Sequence, residues 1–134
     1  MAHRERERER ERVRASDIGG VILTDMMIEP DALDGLRALA SAGTLYLLSF
    51  CGKATENTTR EILIEMGVDE IVPVERWIFV RNRKHKAREM RRLGISVLID
   101  DRDDTIDHVR SQGLEGYLYT GWKQVIADLC GGDL

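Results

Sequence analysis

The sequence predicts a single α/β domain of the doubly wound kind, with about five parallel strands and helices on both faces. Two observations carry this. Short apolar runs of strand length alternate with segments of helical period along nearly the whole chain. The runs are close to continuously apolar, as strands covered on both faces are, and do not alternate polar with apolar. A third observation sets the scale. The chain has 134 residues, one domain's worth and enough to bury a core under one sheet.

Residues 4–12 alternate Arg and Glu without an apolar position, so they cannot join a core and read as a charged, solvated tail over residues 1–12. The domain is expected over residues 13–134. A short strand ends near Asp17, and Gly19-Gly20 and Val21-Ile22-Leu23 follow as a turn and a short extended piece. Pro30 opens a helix from Asp31 to Ala42, with Leu33, Leu36, Leu39 and Ala40 on one face and Gly43 at its end. Thr44 to Ser49 is a buried strand, and residues 54–66 are a helix closed by Gly67. Trp77 to Val80 is a strand, Lys84 to Leu93 a basic helix closed by Gly94, and Ile95 to Ile99 a strand running into Asp100-Asp101. Asp103 to Ser111 is a helix that Asp103 and Asp104 are expected to cap. Tyr117 to Tyr119 is the last strand and Trp122 to Leu129 the last helix. The sum is a Rossmann-like sheet with no internal repeat.

Composition narrows the function. A net charge of −4 gives no basic field over the protein, so nucleic acid is an unlikely partner. Two cysteines, Cys51 and Cys130, are too few for a disulfide scaffold, which suits a reducing compartment. No apolar run approaches the roughly 18 residues of a membrane span, and the N-terminus lacks the apolar stretch of a signal peptide. The expected location is cytoplasmic, with no membrane partner.

Ligands of open parallel sheets bind beyond the carboxyl ends of the strands. The residues at those ends are Asp17, Ser49, the basic run 81–86 and Asp100-Asp101. Carboxylates gathered at one edge repel unless a cation joins them, which implies a hard ion such as Mg²⁺. Carboxylate, hydroxyl and ammonium around such an ion suit a phosphate group. Cations at the start of the 84–93 helix oppose its dipole, a second sign that they serve a site.

The order Asp, Ser, Lys, Asp-Asp resembles the four motifs of the haloacid-dehalogenase-like superfamily. Asp17-Ile18-Gly19-Gly20-Val21 resembles the first motif, Leu48-Ser49 the second, Lys86-Ala87 before Leu93-Gly94-Ile95 the third, and Val97-Leu98-Ile99-Asp100-Asp101-Arg102 the fourth. The fourth is similar to the corresponding segment of the 5′(3′)-deoxyribonucleotidases. The resemblance covers residues 13–122 and implies an Mg²⁺-dependent phosphatase or phosphotransferase. Asp17 would be the nucleophile that forms an aspartyl-phosphate. Asp17, the backbone carbonyl of Gly19, and Asp100 or Asp101 would hold the metal. Ser49 would bind a phosphoryl oxygen and Lys86 would offset the charge, with Cys51 and Gly52 forming the phosphate-side turn.

The chain departs from the family at one place. Most phosphatases of the group carry an acid–base Asp two residues after the nucleophile, and here that residue is Gly19. A general acid–base contributes about 10²- to 10⁴-fold, so reduced or unusual activity is expected. Asp25, His85 and Glu56 are the candidate substitutes. The alternative is a catalytically weak or inactive module that keeps the phosphate or metal site.

Other readings fit less well. Gly52-Lys53 is not a P-loop, because the earlier glycine would fall at Leu47. Cys51 lacks an Arg six residues on, where Asn57 stands, and His3, His85 and His108 have no metal-ligand spacing. A phosphorelay receiver would place its acidic pair early and its Lys late, the reverse of this order. A haloacid dehalogenase has no use for Asp100-Asp101. Between Asp17 and Ser49 there is room for one helix and no cap domain. The site should be open, to a large phosphorylated substrate or to a small one covered by a second copy of the chain.

Overall fold

A computed structural model describes residues 12–131; the predicted Arg-Glu tail, apart from Arg12, lies outside the described residues. Five strands form the main sheet: β1 (Val13–Ser16), β4 (Thr44–Phe50), β5 (Trp77–Val80), β6 (Val97–Asp100) and β7 (Glu115–Leu118). Their spatial order is β5-β4-β1-β6-β7 and every pairing is parallel. The helices are α1 (Ala32–Ala42), α2 (Lys53–Glu65), α3 (His85–Leu93), α4 (Asp103–Ser111) and α5 (Trp122–Leu129).

The double winding is written into β4. Leu45 and Leu47 join one apolar cluster, with Leu36 and Leu39 of α1, Leu63 of α2, and Trp122 and Val125 of α5. Tyr46 and Leu48 point the other way, into a cluster with Met90 of α3 and Val109 of α4. Successive side chains of a strand face opposite sides, so a run of apolar residues is what two covered faces require. On the first face α1 and α5 approach so closely at Gly35 that an added Cβ would meet the Trp122 indole. The Trp122 Nε1–H donates to the Val21 carbonyl at 2.8 Å, which ties α5 to the loop after β1.

The chain fills one side of β1 with β4 and β5, then crosses to the other side with β6 and β7. The change of direction leaves a crevice at the carboxyl ends of β4, β1 and β6, where doubly wound sheets bind ligands.

The structure differs from the sequence expectations locally. A hairpin of β2 (Leu23–Thr24) and β3 (Met27–Ile28) follows the β1 loop, where a single extended piece was expected. Its turn residues Asp25 and Met26 have φ of 52° and 61°. No Asn-Gly or Asp-Gly pair announces it. The last strand is Glu115–Leu118 and not Tyr117 to Tyr119. Asp103 and Asp104 lie inside the first turn of α4, and Arg102 takes the cap position.

Candidate functional site

Asp17 leaves the end of β1 with its N–H still donating to the Ile99 carbonyl of β6 at 2.8 Å. That bond carries the ladder one residue past the strand and holds the carboxylate at the sheet edge. Its Oδ1 accepts the Ile18 N–H at 2.8 Å. The chain then turns sharply, with the N–H groups of Val21, Ile22 and Leu23 all directed at the Ile18 carbonyl. Gly20 sits in this turn at φ 79°, and a Cβ there would fall on the Asp101 carboxylate. A glycine is needed on both counts, backbone conformation and the approach of β1's loop to the acidic pair.

Lys86 is buried, 2% exposed, in the first turn of α3. Its Nζ lies 2.7 Å from Asp100 Oδ2 and 3.2 Å from Asp17 Oδ1. An ammonium at a helix N-terminus opposes the dipole, and two carboxylates offset that cost here. Asp100 is fully buried; its other oxygen accepts the Arg102 N–H at 3.0 Å. Asp101 instead opens toward solvent. Asp17, Asp100 and Asp101 each offer an oxygen within 4.8 Å of the others. Three carboxylates share one ammonium, so the cluster carries excess negative charge.

That imbalance appears in the acidities. Burial pushes the Asp17 carboxyl up from 3.8 to about 7; Lys86 pulls it down and the Asp100 charge pushes it further up. Burial and Asp100 also raise Asp101. A hard cation between these oxygens would offset the repulsion between the charges, and an all-carboxylate donor set is of the kind such an ion takes.

A cavity of about 220 Å³ opens over the cluster, lined by Asp17, Gly19, Ser49, Lys86 and Asp101 among others. Five of the sequence-predicted residues thus share one cavity, and Asp100 lies directly beneath. Cys51 lines an adjacent groove of about 670 Å³ under the hairpin, and Gly52 caps α2 and lines neither. The candidate acid–base substitutes do not line this cavity. Asp25 stands exposed at the hairpin tip and borders the groove beside Cys51. His85 is absent from the cavity wall. Glu56 is held by Arg81 at 2.7 Å and Arg60 at 2.8 Å. Burial raises its pKa, but the hydrogen bonds from Arg81 and Arg60 outweigh that and hold it below the usual carboxylate value. A carboxyl so paired is a poor proton donor.

Sequence reasoning missed Phe50, Arg83, Arg102 and Thr105, which also line the cavity. The basic run signalled Arg83; nothing in the local sequence distinguishes Thr105.

No protein-family model matches the chain, and no curated protein matches it. Solved structures do. An uncharacterised protein from Corynebacterium glutamicum is similar at 17% identity with a TM-score of 0.62, over 90% of this chain and 93% of that one. A haloacid dehalogenase-like family hydrolase from Xanthomonas campestris is similar at 16% identity with a TM-score of 0.57. The fold is shared with a haloacid dehalogenase-like hydrolase. The match covers 72% of this chain and 42% of the hydrolase, so the chain spans less than half that protein's length. Likeness at this identity is likeness of fold. Beyond it stand the acidic cluster and the buried lysine described above.

Proposed function

We propose that the protein is an Mg²⁺-dependent phosphatase or phosphotransferase that works through an aspartyl-phosphate on Asp17, with activity altered by Gly19. The observation that carries this reading is Lys86, buried between Asp17 and Asp100 at the crevice where the sheet changes direction, with Asp101 completing an acidic cluster. A buried acidic cluster with one lysine stabilises nothing by itself, but suits a cation and an anion arriving together.

Asp17, Asp101 and the Gly19 carbonyl would hold Mg²⁺, with Asp100 anchoring Lys86 from below. The ion, when bound, offsets the negative charge of nucleophile and phosphate. Lys86 favours the deprotonated form of Asp17 and positions it. Asp17 attacks phosphorus, and Ser49 donates its hydroxyl to a phosphoryl oxygen. The substrate is a phosphorylated molecule, small or large, met in the cytoplasm. With no cap over the crevice among the described residues, a second copy of the chain could complete the entrance.

Asp17→Asn should cut turnover on a phosphate-ester panel by on the order of 10³-fold or more, and should abolish a phosphoenzyme trapped by acid quench. Turnover that survives this substitution would overturn the nucleophile assignment. Gly19 supports a second reading, a binding module without turnover. Calorimetric Mg²⁺ and phosphate binding by a chain that hydrolyses nothing would favour it.

A further inference from the structure

Among the described residues, the site has no carboxyl or imidazole outside the acidic cluster to protonate a leaving group. Gly19 lines the catalytic cavity, and nothing lies within 4 Å of where its side chain would begin. No neighbouring residue has taken that space. The cavity wall offers Asp17, Asp101, Lys86, Arg83 and Arg102 as its charged groups. The two carboxyls belong to the acidic cluster, and the described residues offer no other acid there. An alkoxide is too basic to leave a phosphorus centre unprotonated at neutral pH, whereas a phosphate leaves as a stable anion.

A second cavity begins where the first ends. It has a volume of about 440 Å³ and shares Phe50, Arg83 and Thr105 with the catalytic cavity, extending along Arg81, Asn82, Lys84, His108 and the Asp104 carboxylate, whose charge Arg102 offsets at 3.1 Å. The Arg83 guanidinium lies over the Phe50 ring, 4.7 Å from its centre, at the junction of the two. Arg81 is committed to Glu56 and Arg102 to Asp104. Among the described residues Arg83 and Lys84 form no ion pair. Thr105 is 4% exposed, borders both cavities, and its hydroxyl has no hydrogen-bond partner. A buried hydroxyl left without a partner is destabilising, so a site where a ligand satisfies it is favoured. Two unpaired cations and a waiting hydroxyl beside the phosphate site describe a receptor for a second anionic group.

We propose that the substrate is a phosphoanhydride, whose leaving phosphate is received by Arg83, Lys84 and Thr105 and needs no proton. The assignment rests on the phosphoryl-transfer reading of Asp17. An Asp17 carboxylate oxygen bonds to the terminal phosphorus as the bridging P–O bond breaks. The electron pair of that bond leaves with the departing phosphate. Water then attacks the aspartyl-phosphate and the Asp17 carboxylate is released. One water proton stays on the new P–OH and the other passes to a phosphate oxygen.

The test uses the full chain with Mg²⁺, inorganic pyrophosphate and methyl phosphate. The wild type should hydrolyse pyrophosphate with kcat/KM about 100-fold or more above methyl phosphate. Gly19→Asp, for which there is room, should raise methyl phosphate turnover by about 10²- to 10⁴-fold and pyrophosphate turnover far less. Arg83→Ala with Lys84→Ala, both exposed positions, should raise KM for pyrophosphate about tenfold or more relative to methyl phosphate. The same pair should weaken calorimetric binding of methylenediphosphonate by a similar factor. Equal turnover of both substrates, dependent on Asp17, would sink the anhydride assignment and leave the phosphoryl-transfer reading standing. So would a double variant that changes neither the KM ratio nor the binding. No turnover of either substrate, with no phosphoenzyme at Asp17, would sink both.

Discussion

Lys86 is the residue on which the rest of the site depends. Among the described residues it is the one cation between two buried carboxylates, and its own burial is tolerable only because they are there. Removing it leaves like charges facing each other without compensation. Lys86→Met is therefore expected to cost about 3–5 kcal/mol in urea unfolding. Asp100→Asn in the same background should recover part of that loss, because it removes one of the stranded charges. A Lys86→Met chain as stable as the wild type would show that the cluster is already neutral through protonation.

At the scale of elements, the hairpin is the segment with least local support. Its two-residue turn holds Asp25 and Met26 at positive φ, a conformation that suits Gly or Asn and penalises a long side chain. The Met26 side chain gains little in return, being 46% exposed, with Met27 at 73%. Met26→Gly should stabilise the protein by about 0.5–1 kcal/mol, read as a rise in the thermal midpoint. A fall would mean that Met26 makes packing contacts worth more than the strain. Met26 lines the groove beside the Asp17 cavity, so the turn's strain is located at the site's rim.

At the scale of the molecule, Glu56 joins parts distant in sequence. It pairs with Arg60 one helical turn away and with Arg81 beyond β5, while Arg81 also donates to the Cys51 carbonyl at 3.1 Å. This clamp fixes α2 and the loop after β4 against the loop that carries Arg83. Because the native state holds the Glu56 carboxyl below its ordinary 4.5, the unfolded chain binds its proton first as pH falls. Its contribution is therefore present above about 4.5 and is lost as pH drops through the lower native value. Glu56→Gln should lower stability at neutral pH and flatten the acid limb of a stability-against-pH curve. An unchanged acid limb would show that the clamp contributes nothing to acid stability.

The sequence by itself determined the doubly wound sheet, because continuous apolar runs between amphipathic helices have no other compact solution than a sheet covered on both faces. It also determined which residues stand at the strand ends, since Asp17, Ser49 and Asp100-Asp101 each terminate an apolar run. Only the tertiary structure divided the labour between neighbours: Asp100 fully buried against Lys86, Asp101 open to the cavity. Adjacent carboxylates look alike in sequence, and strand alternation tells them apart only once the faces are known. Thr105 and the Phe50–Arg83 stack were likewise decided by the fold, because their meaning comes from residues distant in sequence. The strained hairpin at Asp25-Met26 ran against local turn chemistry. There the tertiary contacts, Ile22 and Leu23 drawn into the core, overruled the local preference.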